Sequence, residues 1–179
     1  MGKLYGPVMQ MGFVVDNFEE PIKHWTEKLN VGPFFILEHL DLKYFHYKGN
    51  KSVIDFSVAL SFSGNIQIEL IKQHCDTPSI YNEYSNIKIG SLHHICRLTQ
   101  NINNDIEMLE SQGYQNIQAG ETSDGGIKFA YLDIHANYGS ILELAELAEE
   151  NLAVTEAIKN ASKNWDRKNS TIGIEEILT

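Results

Sequence analysis

The second half of the chain restates the first, and this duplication constrains what it can fold into. Gln10-Met-Gly-Phe-Val-Val, followed by apolar residues at helical spacing, is answered by His94-Ile-Cys-Arg-Leu-Thr and a second helical pattern. Gln10 to His94 is a step of 84, and the same step takes Phe18 to Ile102, Ile22 to Ile106 and Trp25 to Leu109. Each half closes on a strand-like segment with one acid, Ile-Gln-Ile-Glu69-Leu-Ile and Ser-Ile-Leu-Glu143-Leu-Ala. A duplicated strand–helix unit that delivers Gln10, Glu69, His94 and Glu143 at matching strand positions has the layout of a paired-module metal site.

The pattern predicts an α+β chain read as one domain over residues 1–179: a first module over 7–72, a connector over 73–90, a second module over 91–147 and a tail over 148–179. Residues 7–15 are apolar and Val-rich, as in a strand buried on both faces. Phe18, Ile22, Trp25 and Leu29 follow at helical spacing, with Gly32-Pro33 as the stop. Asn17 with Glu20 suits a capping box, whereas Pro21 suits the first helical position, so two starts one turn apart are open. Phe34 to Leu37, Leu42 to Tyr47, Val53 to Phe62 and Ile66 to Ile71 read as strands, with turns at Gly49-Asn50 and Gly64-Asn65. The connector is polar and contains Pro78. The second module reads as a strand over 92–99, a helix over 103–112 closed by Gly113, and strands over 115–119, 127–134 and 140–147. Glu69 to Glu143 is a step of only 74, and the extra Leu42–Tyr47 strand with its turns can account for the ten residues missing from the second module. The tail reads as helical to about residue 163 and has no counterpart in either module.

Charge and cysteine content narrow the function classes. Asp plus Glu outnumber Lys plus Arg by 24 to 14, a formal charge of -10. That disfavours nucleic acid or an anionic membrane as partner, because phosphate recognition needs a cationic surface. No segment has the length of a membrane span, and the N-terminus lacks a charged-then-apolar secretion signal. Cys75 and Cys96 make no disulfide framework, so a reduced, cytoplasmic setting is expected.

Strand parity groups the candidate ligands. Successive side chains alternate faces, so Gln10, Gly12 and Val14 share one face and Met11, Phe13 and Val15 the other. The second set is bulky and suits a face under helices, which leaves Gln10 facing whatever the sheet encloses. His94 and Cys96 occupy the equivalent places, and Arg97 falls on the helix-covered face. Taken singly, Glu69 and Glu143 read as solvated strand acids and His94 as a hydrogen-bonded core histidine. Four such residues at matching offsets favour metal binding instead.

With these residues in hand the chain resembles the vicinal oxygen chelate superfamily, which includes glyoxalase I, methylmalonyl-CoA epimerase, bleomycin resistance proteins and extradiol dioxygenases. The resemblance covers residues 7–147 and implies paired βαβββ modules whose curled mixed sheet surrounds a metal and substrate cavity. It implies Gln10, Glu69, His94 and Glu143 as ligands, a set seen in glyoxalase I enzymes, with Glu143 and Glu69 as the acids that move protons. The His93-His94-Ile95-Cys96 run is similar to the epimerase branch, although Gln10 stands where that branch usually has His. Val14 stands where the glutathione-binding branch often has Arg. Two carboxylates, an amide oxygen and one imidazole suit Zn, Co, Ni, Mn or Mg in an open octahedral site. The activity so implied is isomerase, epimerase or lyase chemistry that begins by removing a proton beside a carbonyl or thioester of a small molecule. A ring-cleaving dioxygenase needs two histidines and a carboxylate on iron, and Gln10 breaks that triad. A metal-free binding protein of the same fold usually has its ligand positions eroded to apolar residues.

Phe34, Phe35, Tyr44, Phe45, Phe56 and Tyr131 are aromatic candidates for the wall of a substrate pocket, of which Phe35, Tyr44 and Tyr131, with His74 after the first acid strand, are the substrate-binding expectations. Gly120 to Lys128 lacks the Gly-Lys-Ser/Thr adjacency of a phosphate loop and reads as a turn. Ser-Phe-Ser-Gly lacks the flanking glycines of a nucleophile elbow. Exposed edges on curled sheets lead to the expectation of a homodimer.

Overall fold

The computed structural model describes residues 6–83, 90–133 and 141–177. Strand β1 (Val8–Val14) leads into helix α1 (Glu19–Lys23), which widens into a π-helical turn over His24–Lys28. Strands β2 (Phe34–Leu37), β3 (Leu42–Tyr47), β4 (Asn50–Lys51), β5 (Phe56–Ser63) and β6 (Ile66–Gln73) follow. A short helix α2 (Ile80–Glu83) precedes β7 (Leu92–Leu98), α3 (Ile102–Ser111), β8 (Gln115–Thr122), β9 (Ile127–Asp133) and β10 (Ile141–Leu147). The chain closes with α4 (Glu149–Lys163), β11 (Thr171–Ile172) and a 3-10 turn (Ile174–Ile177).

One eleven-stranded mixed sheet runs in the order β11-β2-β5-β6-β1-β7-β10-β9-β8-β3-β4. Its two halves are the duplicated βαβββ modules: β1-α1-β2-β5-β6 and β7-α3-β8-β9-β10. They meet where β1 pairs antiparallel with β7, within this one chain. Register repeats with the sequence: Gly12 stands opposite Glu69 in the parallel β1–β6 pair, and Cys96 opposite Glu143 in the parallel β7–β10 pair. The hairpin β3–β4 is an insertion that leaves the first module and pairs with β8 of the second. That crossing forces curvature. In a flat sheet β2 and β3 would lie eight strand spacings apart, about 38 Å. The connection from Leu37 to Leu42 reaches at most about 18 Å. The sheet therefore curls, and its inner face becomes a cup.

The outer face is covered by helices, as the parity of β1 requires. Val15, Ile22, Phe34, Ala59, Ile68 and Leu70 pack under α1 with Met11, Phe13 and Trp25 against them. Ile102 and Leu109 of α3 pack on Ala130, Leu132 and Leu144. Asn17 Oδ1 accepts from the Glu20 N–H at 3.1 Å, so the Asn17 start is the one realised, with Pro21 inside the first turn. Asn101 caps α3 in the same way through the Asn104 N–H.

Three expectations are corrected. Leu29, expected on the apolar helical stripe, is 49 % exposed, because the wider π-helical turn adds a residue and shifts the phase of the side chains after Trp25. The strand expected from Val53 begins at Phe56, since the Asp55 N–H is taken by Cys75 Sγ and Val53 is 84 % exposed. The polar connector contains α2, whose Ile80 and Tyr81 insert into the core. The remainder of the connector (84–89), the expected strand ends at Ile134 and Ser140 and the end of the tail (178–179) lie outside the described residues. The tail has a structural place: Ile158 of α4 packs with Phe35 and Phe62, and β11 adds in parallel to β2. No helix among the described residues is long and apolar enough to cross a membrane.

Candidate metal centre

The pairing of β1 with β7 and of each with its module's last strand brings three expected ligands together. His94 Nε2 lies 3.2 Å from Glu69 Oε2 and 3.1 Å from Glu143 Oε2. The His94 side chain is fully buried, and those of Glu69 and Glu143 are 13 % and 9 % exposed. These are not solvated strand acids. Despite the short distances, none of the three atoms makes a well-directed hydrogen bond, and all three are inaccessible to water. One potential ligand atom from each of the three lies within 4.8 Å of the others, close enough for all three to hold one ion.

Neighbouring hydrogen bonds prepare His94 for that role. The Ile80 carbonyl can only accept, so His93 Nε2, at 3.2 Å, carries a proton. Burial and the neighbouring His94 hold the His93 pKa down at about 4, so the ring is neutral and its Nδ1 is bare. His94 Nδ1 lies 3.1 Å from that nitrogen and must donate to it. The proton of a neutral His94 is thereby placed on Nδ1, and Nε2 keeps its lone pair toward the two acids. Fixing the tautomer through the distal nitrogen is the usual support of a ligating histidine.

Charge balance points the same way. Burial pulls the His94 pKa down, but the Glu143 and Glu69 carboxylates outweigh it and hold it at about 9. Burial raises Glu69, with the nearby Glu143 charge adding to it and His94 opposing. Even with His94 protonated, two ionised carboxylates leave one negative charge in a poorly solvated place, which is costly unless a further cation is supplied. A divalent ion with two carboxylates and a neutral imidazole sums to zero. The donor set therefore fits a hard divalent cation.

Gln10 is buried in the wall of the same cavity, and its Nε2 donates to Gln67 Oε1 at 2.7 Å. That bond turns the Gln10 carbonyl oxygen away from Gln67 and leaves it as the acceptor end. Gly12 stands opposite His94, and a Cβ added there would sit 1.8 Å from His94 Cε1, so glycine is what admits the ring.

Above these residues lies a cavity of about 140 Å³ bounded by Leu37, Leu40, Leu42, Val58, Phe129 and Leu147, among others. Tyr131 belongs to its wall. Its ring stands edge-on to His94 at 5.1 Å, and its hydroxyl shares a hydrogen bond with the Tyr81 hydroxyl at 3.1 Å. Burial raises both phenols well above their ordinary values, so both are neutral donors.

Three pocket expectations are corrected. Phe35 shares the cavity face of β2 with Leu37, but Ile158 of α4 fills that end and buries it completely. Tyr44 is displaced by a register shift between Leu42 and Tyr44, which puts Phe45 and Tyr47 into the inner core while Tyr44 packs beside His46 on the other side. His74 lies off the cavity, bonded through Nε2 to Ser57 Oγ at 2.7 Å. Gln67, Tyr81, His93 and Gly12 were not anticipated. Gln67 was legible, being two residues before Glu69 on the same strand face. The others depend on contacts between distant segments or across strands.

The comparisons agree with this architecture. No curated protein matches the chain by sequence. A hypothetical protein BH1468 from Bacillus halodurans C-125 superposes with a TM-score of 0.58 at 19 % identity, covering 80 % of this chain and 95 % of that one. Methylmalonyl-CoA epimerase from Mycobacterium tuberculosis does so with a TM-score of 0.57 at 14 % identity, covering 86 % and 95 %. At these identities the likeness is one of fold. Residues 9–131 match the family model described as Glyoxalase/Bleomycin resistance protein/Dioxygenase superfamily, and it is to this superfamily that the chain belongs.

Proposed function

We propose that the protein is a divalent-metal-dependent isomerase, epimerase or lyase that removes a proton beside the carbonyl or thioester of a small substrate. The observation that carries this reading is the convergence of three buried, undirected donor atoms from Glu69, His94 and Glu143, with the His94 tautomer set by His93. Glu69, His94, Glu143 and the Gln10 oxygen hold the ion. A divalent cation in that place supplies electrophilic polarisation of a substrate carbonyl.

The remaining chemistry falls to the chain itself. Glu143 takes the proton from the carbon beside the carbonyl, and its return to a neighbouring carbon completes an isomerisation. Glu69, on the other module, is placed to deliver a proton to the opposite face, which completes an epimerisation. The neutral Tyr131 hydroxyl, in the cavity wall, is a donor for an oxygen that gains charge as the C–H bond breaks. The apolar wall excludes water from the carbanion.

The wall also favours a substrate class. A cavity near this size lined by Leu and Phe accepts a benzene-sized group. No Lys or Arg lines it among the described residues, so neither a glutathione carboxylate nor a coenzyme phosphate meets a cation there. A neutral substrate with an apolar end of about six carbons fits best. The same wall supports a second reading, a metal-free binding protein for apolar molecules. We also propose a homodimer, and a cytoplasmic setting on the strength of the free Cys75 and Cys96.

The test is solvent-deuterium exchange into a panel of 2-oxo compounds and thioesters graded by charge and apolar size, with wild type and Glu143→Gln. The substitution keeps an oxygen donor and removes the base, so metal content stays and exchange falls on the order of 10²–10⁴-fold. Exchange at the wild-type rate with metal bound assigns the base elsewhere. Tight binding of apolar compounds with neither metal uptake nor exchange establishes the second reading.

A further inference from the structure

Away from the cup, a second group of ligand-type side chains converges where β5 begins, β6 ends and the β2–β3 link crosses between the modules. His39 Nδ1 lies 2.7 Å from Asp55 Oδ1, and the His39 and His74 ring centres lie 4.7 Å apart with the planes tilted by 31°. One potential ligand atom from each of His39, Asp55 and His74 falls within 4.8 Å of the others.

Three separate segments supply these residues, and each is held by bonds that leave the group pointing together. The His39 N–H donates to Ser57 Oγ at 3.0 Å, and the same oxygen holds His74 Nε2 at 2.7 Å. The Asp55 N–H is fixed on Cys75 Sγ at 3.3 Å, and the His74 N–H on the Asp55 carbonyl at 2.8 Å. His39 adopts φ +50°, a left-handed conformation in which Asn, Asp and His are enriched. The link cannot simply carry any residue there.

We propose that His39, Asp55 and His74 form a second divalent-cation site, a zinc clip that ties the β2–β3 link to the adjoining ends of β5 and β6. Two imidazoles and one carboxylate are a zinc ligand set that leaves the fourth position to water. The group is partly open to solvent, with His39 62 % and Asp55 46 % exposed at the side chain, so an ion has a direct path in. The consequence reaches the cavity. Leu37, Leu40 and Leu42 all line it, and Glu38 to Asp41 is the stretch the clip holds. Occupancy braces that wall, and the Leu40 N–H bond to the Phe56 carbonyl at 2.9 Å is the hinge it would protect. The proposal does not depend on the metal centre in the cup.

The test counts ions. Full-length protein is stripped with a chelator, loaded with zinc, desalted and analysed for zinc per chain, wild type beside a His39→Asn/His74→Gln double variant. Asn keeps the left-handed preference at 39, and circular dichroism of the chelator-treated variant beside the wild type separates a loss of fold from a loss of ions. The wild type is expected to carry one ion more than the double variant, whatever the cup itself retains. Zinc should also slow hydrogen exchange at the Leu40 amide in the wild type and not in the variant. Equal zinc content in the two proteins overturns the proposal. A wild type with one ion and a variant with none upholds it while counting against the cup.

Discussion

Gly12→Ala puts the account of the cup under the sharpest strain, because it adds one methyl group and touches no ligand chemically. Ordinary contact begins at 3.4 Å, and the new Cβ would lie 1.8 Å from His94 Cε1, 2.1 Å from Nε2 and 2.5 Å from Nδ1. The ring must retreat by about 1.6 Å, the difference between those two distances. It has nowhere free to go: His93 Nδ1 stands at 3.1 Å on one side and the two carboxylates at 3.1 and 3.2 Å on the other. Overpacking of this kind costs about 1–3 kcal/mol. For a chain of this length that corresponds to a fall of about 2–12 °C in Tm. The effect on metal is larger in kind, since a ligating nitrogen is held at about 2.0–2.1 Å with a tolerance of about 0.2 Å. Calorimetric titration with zinc in a His39→Asn/His74→Gln background should show affinity falling by about 100-fold or more. Gly6→Ala, whose Cβ meets only the Leu98 carbonyl at 3.5 Å, serves as the control. Wild-type zinc affinity together with an unchanged Tm in Gly12→Ala would refute the packing argument and the place it gives His94.

Two further outcomes follow from the neighbours of His94. His93→Phe keeps much of the volume but removes the acceptor that fixes the tautomer, and metal affinity should fall about 10–100-fold while the fold persists; an unchanged affinity would mean that the His93 contact does not orient the ligand. The metal-free protein should lose stability as pH rises: the His94 pKa of about 9 lies above its unfolded value of 6.5, so its contribution is complete below 6.5 and gone above about 9. Metal must displace that proton, so affinity should climb about tenfold per pH unit and level off above about 9. A binding constant flat from pH 6 to 9 would show that no such proton is released.

The duplication carried much of this into the sequence. The step from Gln10 to His94 marked matching positions in the two modules but not how the modules pair; the structure sets the two strands side by side within one chain, Gln10 opposite Cys96 and Gly12 opposite His94. Alternation along β1 sorted Met11 and Phe13 to the helix side, where they pack under α1. What was not legible depends on non-local geometry. That Gly12 yields space to His94 is a matter of register between strands more than eighty residues apart. Tyr81 and Ile80, which support the cup, come from a connector that read only as polar, with no helical pattern assigned to it. Tyr44 leaves the cavity face because the irregularity between Leu42 and Tyr44 reverses the parity of β3, and the hairpin's capture by β8 has no local signal. Phe35 had the right face, but α4 returns from the far end of the chain to cover it.

The most direct test of the central claim is X-ray absorption fine structure at the metal edge of cobalt- or zinc-loaded protein, recorded on the His39→Asn/His74→Gln variant so that only the cup reports. The ligand set of Gln10, Glu69, His94 and Glu143 predicts a first shell dominated by oxygen at about 2.0–2.2 Å with the scattering of a single imidazole, lost in His94→Ala and retained in Glu143→Gln. Two or more imidazoles in that shell, or a spectrum indifferent to His94, would contradict the assignment of Gln10, Glu69, His94 and Glu143 as the ligand set.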